Sequence, residues 1–102
     1  MFSVAIIENP DLDNEIEYYT ELQKAINSGV AWSFQGSYGR AMMDAIASGY
    51  CLLGKAPARD YWGNRIPSRD EVQEGTKGSY QFVVDRFGIE YTRKAILPNV
   101  QI

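Results

Sequence analysis

A chain of 102 residues with 45% hydrophobic and 13% aromatic side chains makes one compact domain with enough apolar material for its own core. With one cysteine and no histidine, it excludes an internal disulfide, a Cys/His zinc site within one chain and any triad built on a histidine base. Net charge is −3, and no apolar run approaches the roughly 18 residues of a membrane span.

The opening "MFSVAIIENP" has no basic flank and no small-residue cleavage site, so no signal peptide is expected and a cytoplasmic location follows. Within it, "FSVAII" is a β-branched apolar run that predicts a first strand. "NPD" breaks it, and Asp11 is placed to cap a helix. Leu12, Ile16, Tyr19, Leu22 and Ile26 then recur at helical spacing, and Gly29 closes the helix.

"VAWSF" predicts a second strand. "QGSYGRAMMDAIASG" predicts a second helix, capped by Ser37, ended by Gly49, with Tyr38, Met42, Ala45 and Ile46 on one face. "YCLLG" predicts a third strand, in which Cys51 is a small core hydrophobe. Residues 54–78 form a long polar connection punctuated by Pro57, Gly63, Pro67 and Gly75. "SYQFVVDRFG" predicts a helix capped by Ser79 and stopped by Gly88, and "IEYTRKAIL" a final strand. The order β-α-β-α-β-loop-α-β predicts an α/β (α+β) domain over residues 1–102. In it a small mixed sheet of three to four strands is covered by about three helices.

Charge is unevenly placed. Residues 1–29 carry six carboxylates against Lys24 alone, so Glu15, Glu17 and Glu21 on the first helix are candidates for an acidic contact surface. Residues 30–102 carry nine Lys/Arg against seven Asp/Glu. At the second helix start, Gly36, Ser37, Gly39 and Arg40 offer backbone amides and a guanidinium to an anion. The full dinucleotide and Walker patterns are absent, and tight-turn glycines explain the motif without a ligand. "EGTKGS" has the same form and reads as loop exit and capping. Asp11/Asp13 and Asp70/Glu71 lack the apolar setting that acid–base catalysis requires. No cofactor, no metal and no enzymatic activity are expected.

The connection at 54–78 is longer than compact domains ordinarily hold without function. Its centre, "ARDYWGNRIPSR", combines Arg59, Tyr61, Trp62, Arg65 and Arg69, the residue types enriched at the energetic centre of protein interfaces. The aromatics fold inward over the sheet, or they and the arginines form a contact surface, or both hold with the aromatics packed and the arginines presented outward. Arginines interleaved with aromatics also suit single-stranded nucleic acid. A sequence pI near 4.8 and the acidic first helix weigh against that partner.

"GSYGRAMMDAI", "RDYWGNRIPSRDEV" and "GTKGSYQFV" together resemble small accessory proteins of tailed bacteriophages, over about residues 15–85. The resemblance implies the cytoplasm of an infected bacterium and a small domain that binds and blocks a host or anti-phage defence protein. It carries over no site residues. The expected function is therefore a non-enzymatic binding protein acting by direct contact. One alternative is a binder that sequesters a nucleotide or anionic signal between Arg40 and the loop arginines. A second is a single-stranded nucleic-acid accessory protein. A homo-oligomer fits all three, through an exposed strand edge.

Overall fold

The computed structural model describes residues 15–34 and 37–97. Three α-helices dominate: α1 (Glu15–Ser28), α2 (Ser37–Ser48) and α3 (Tyr80–Tyr91). A short 3₁₀ turn (Ala31–Ser33) links the first two, and a π-helical segment (Thr92–Ile96) continues the third. Among the described residues the sheet has two strands, β1 (Ala58–Arg59) and β2 (Arg65–Ile66), joined as an antiparallel hairpin. The domain is thus mainly helical, and the expected three- to four-stranded sheet covered by helices is wrong.

The helices form where apolar spacing and caps agree. On α1, Leu22 and Ile26 are buried and Tyr19 packs against the core, while Ile16 of the same stripe is exposed. On α2, Met42, Ala45 and Ile46 are buried and Tyr38 packs beside them. Gly29 and Gly49, both at positive φ, end these helices, and Ser79 caps α3 by accepting from Phe82 N. Leu12, the Asp11 cap and the first predicted strand lie outside the described residues.

Each remaining strand expectation fails for its own reason. "VAWSF" tightens into the 3₁₀ turn, which drives Ala31 and Trp32 into the core. "YCLLG" is irregular, with Cys51, Leu52 and Leu53 buried, and among the described residues no strand lies beside it. Its backbone partners are scattered instead. Leu52 N donates to Gln23 Oε1 at 2.7 Å, and Gln23 Nε2 donates back to Leu52 O at 3.2 Å. Leu53 N donates to Gly78 O at 3.0 Å, and Arg69 N reaches Gly54 O at 2.8 Å. A strand-like apolar run can therefore be buried with its backbone groups satisfied one by one from other segments.

The last predicted strand is helical. Gly88 does interrupt α3, at φ 87° and ψ 164°, a conformation essentially reserved for glycine. The chain then re-enters a helix, with Thr92 Oγ1 donating to Gly88 O at 2.9 Å. Thr92, Ala95 and Ile96 become buried at helical spacing, and this leg packs on α1.

Cys51 lies in the middle of the core, its thiol donating weakly to Tyr19 O at 3.6 Å. Burial pushes its pKa far above the ordinary thiol value, so the reactive thiolate is suppressed. Iodoacetamide should therefore label Cys51 only at the rate of global unfolding. That rate is measured by mass spectrometry across a urea series. Rapid labelling in native buffer would contradict the packing around it.

Candidate functional site

The hairpin organises the middle of the 54–78 connection. Ala58 pairs with Ile66 and Arg59 with Arg65. Strand alternation puts each pair on one face. Ala58 and Ile66 pack against the core, while Arg59 and Arg65 share the exposed face. Asp60 holds the turn. Its Oδ1 accepts from Trp62 N at 2.9 Å and Asn64 N at 2.8 Å, and its Oδ2 accepts from Asn64 Nδ2 at 3.3 Å. Asp60 N donates to Asn64 O at 3.0 Å, and Arg59 Nη1 donates to Gly63 O at 2.9 Å. Short polar side chains that bond backbone groups further along favour such turns.

This braced turn presents Trp62 with 80% of its surface exposed and Tyr61 with 47% exposed. Their rings meet edge to face, with centroids 4.9 Å apart. The aromatics of the connection therefore point outward and do not lid the core. A tryptophan held on a rigid turn offers much apolar area with little entropy left to lose on binding.

The arginines are less free than their sequence implies. Arg65 Nη2 lies 2.6 Å from Glu71 Oε1. Glu71 Oε2 in turn accepts from Ser68 N at 2.7 Å, closing a capping box over the 3₁₀ turn Arg69–Glu71. Arg69 is half-buried, with Nε on Leu53 O at 3.1 Å and Nη2 on Asn27 Oδ1 at 3.4 Å. Burial lowers its pKa, while neighbouring Asp70 opposes the shift. The structure places Arg69 as a strut tying the connection to α1 and "YCLLG", apart from the hairpin tip. Arg59, Tyr61, Trp62 and Arg65 stay together on the hairpin. Asp60, Asp70 and Glu71 fold in among the basic residues, so no strong positive field builds around the tip.

The Ser68 amide, followed by the Arg65 guanidinium, holds the Glu71 carboxyl below the ordinary glutamate range. A pKa depressed on folding adds stability above the unfolded value and loses it as pH falls through the folded value. The capping box should thus persist at neutral pH and open only below the ordinary glutamate pKa. The Ser68 amide proton shift, followed by NMR through an acid titration, measures that midpoint. A midpoint at or above the value for a free glutamate would contradict the geometry.

The other predicted surfaces are dispersed. Glu17 is exposed, but Glu21 is only 7% exposed, and its Oε2 lies 2.9 Å from Lys24 Nζ without a well-directed hydrogen bond. Glu21 is thus part of the packed face of α1 and no element of an acidic surface. Glu15 begins α1. Gly36 lies outside the described residues, Ser37 opens α2, and Gly39 has open space around it. Arg40 lines a cleft with no loop arginine in its wall, so the convergence needed for anion sequestration is not formed.

That cleft went unseen in the sequence. It is an open hollow of about 290 Å³ between α1 and α2, lined by Tyr18, Tyr19, Tyr50, Ala41 and Ala45, with Arg40, Asp44 and Ser48 as its polar members. Tyr50 stacks between Tyr19, 4.0 Å away and 2° from parallel, and Phe87 at 4.2 Å. Tyr91 Oη donates to Tyr50 O at 2.7 Å, which fixes the backbone behind the stack. Burial raises the Tyr18 pKa, with smaller contributions from Cys51 and Asp44, so its hydroxyl stays protonated. The only sequence signal was the cluster of tyrosines, which read as helix stripe and strand.

Among the described residues no cluster of His, Cys, Asp and Glu is placed to hold a metal ion, and no helix is long and apolar enough to cross a membrane. Compared with known protein families, curated proteins and solved structures, the chain matches none.

Proposed function

We propose that this protein is a non-enzymatic binding module that inserts Trp62, flanked by Tyr61, into an apolar pocket on a protein partner. The exposure of Trp62 at 80% on a turn locked by Asp60 carries the reading. An exposed tryptophan beside a tyrosine on a rigid turn has the make-up of an interface anchor. The resemblance to phage accessory proteins directs the search to a host or defence protein of an infected bacterium, blocked by steric occlusion. Binding should depend weakly on salt, because Arg65 is paired with Glu71 and Arg69 is spent on Leu53 O and Asn27. The same compensation disfavours single-stranded nucleic acid, whose affinity for basic loops falls steeply with salt.

A photo-crosslinking amino acid at position 62, in bacterial lysate, tests this. A discrete protein adduct is expected at position 62 and not at exposed Gln81, and it should survive high salt. Adducts to nucleic acid, or adducts equal at both positions, would defeat the reading.

A further inference from the structure

The molecule carries both a protruding aromatic and an unfilled aromatic hollow. Trp62 is the most exposed large apolar side chain described, and the α1–α2 cleft is walled by Tyr18, Tyr19 and Tyr50. At about 290 Å³ the cleft sits at the lower edge of ligand pockets, which run from roughly 300 to 1,000 Å³. That is room for one aromatic side chain and little more.

Its polar members suit an indole. Asp44 and Ser48 are acceptors for the indole N–H. Arg40, in the same wall, can cover a ring face, and tyrosine edges favour T-shaped contact. Arg40 and Asp44 stand one turn apart on α2 with no ion pair between them, so both are available. Charge agrees as well. One pair of charges is complementary: Arg59 is exposed beside the tip, and Asp44 is exposed at the hollow.

The two features cannot satisfy each other within one molecule as it stands, since Trp62 is 80% exposed. The hairpin root meets α1 at its C-terminal end, where Ala58 Cβ lies 4.0 Å from a methyl placed on Gly29. The cleft faces Tyr18 and Tyr19, about 15 Å back along the helix axis at 1.5 Å per residue.

We infer that the Tyr18–Arg40–Tyr50 cleft receives the hairpin tip of a second copy of this chain, with Trp62 as the inserted side chain. The contact is heterologous: knob from one copy, hollow from the next. Such contacts build rings when the rotation closes and open chains when it does not. The inference rests on the reading of the tip as a contact anchor and names a second copy as its occupant.

Sedimentation velocity across micromolar to millimolar concentrations tests it on the intact chain. The native protein should associate as concentration rises. Trp62→Ala, which lacks the knob, and Ser48→Trp, which fills the hollow, should each stay monomeric. Loss of a central aromatic anchor weakens association at least about thirty-fold. Mixed in equal amounts, these two variants should form one-to-one dimers, because one keeps the hollow and the other the knob. Asp44→Arg, at an exposed position, repeats the loss without filling the core, and circular dichroism verifies the fold of each variant. A native chain that remains monomeric throughout overturns the inference. So does association that Trp62→Ala leaves unchanged, or a mixture that stays monomeric. None of these outcomes touches the cross-linking at position 62 to another protein, which decides the anchor reading separately.

Discussion

Replacing Gln23 with leucine should cost the fold about 2–5 kcal/mol, although no charge and little volume are lost. Gln23 is fully buried, and its amide answers both backbone groups of Leu52, at 2.7 Å and 3.2 Å. It also donates to Asn27 Oδ1 at 2.9 Å. In a sheet, a neighbouring strand would supply the two Leu52 bonds, but here one side chain does so. Leucine leaves a buried N–H and a buried C=O without partners, each of which costs about 1–3 kcal/mol. Domains are stable by only about 5–15 kcal/mol, so the thermal midpoint should fall by more than about 10 °C. Asn27→Ala, which spares the Leu52 pair, is the control. A Gln23→Leu midpoint within a few degrees of native would mean that water or another group satisfies Leu52.

Gly78→Ala should be comparably damaging, by roughly 2–5 kcal/mol, through two independent causes. Gly78 has φ 93°, where an L side chain is strained. A methyl there would lie 2.5 Å from Leu53 Cδ1 and 2.7 Å from Leu53 Cγ, and Leu53 is itself buried. The displaced leucine would also pull on the bond from Leu53 N to Gly78 O. Denaturant midpoints of Gly78→Ala, Leu53→Ala and the double variant separate the causes. The double variant should cost less than the sum of the singles, because truncating Leu53 relieves the clash. Strict additivity would mean that backbone strain acts alone.

These two positions also explain how far the sequence could be read. The helices were legible because their signals are local: Leu22 and Ile26 on one face, Gly29 and Gly49 after the last turns, Ser79 before Tyr80. The sheet was not. "YCLLG" has the composition of a buried strand, and whether such a segment joins a sheet depends on what answers its backbone N–H and C=O groups. Here the answer comes from Gln23, 29 residues earlier, and from Arg69, 16 residues after Leu53. Neither residue carries a pattern that announces the task.

"IEYTRKAIL" misled differently. Ile89 and Tyr91 alternate with polar residues, but Thr92, Ala95 and Ile96 share a helical face, and Gly88 only breaks the helix before it resumes. The hairpin tip was half legible. Its composition marked out Tyr61 and Trp62, yet the neutralisation of Arg65 and the bracing role of Arg69 arise only when Glu71 and Leu53 are brought alongside. The cleft was illegible, since Tyr18, Arg40 and Tyr50 come from three separate segments.

The two tryptophans stand in opposite surroundings, Trp32 with 2% of its surface exposed and Trp62 with 80%. The chain therefore carries two native optical probes that answer different questions. Trp32 emits from an apolar interior and shifts to longer wavelength only when the molecule unfolds. Trp62 emits from water and is open to collisional quenching by iodide until something covers it. With Trp62→Phe retaining only the interior probe and Trp32 too buried to quench, occupancy of the hairpin tip and integrity of the core can be followed in one cuvette, without a dye.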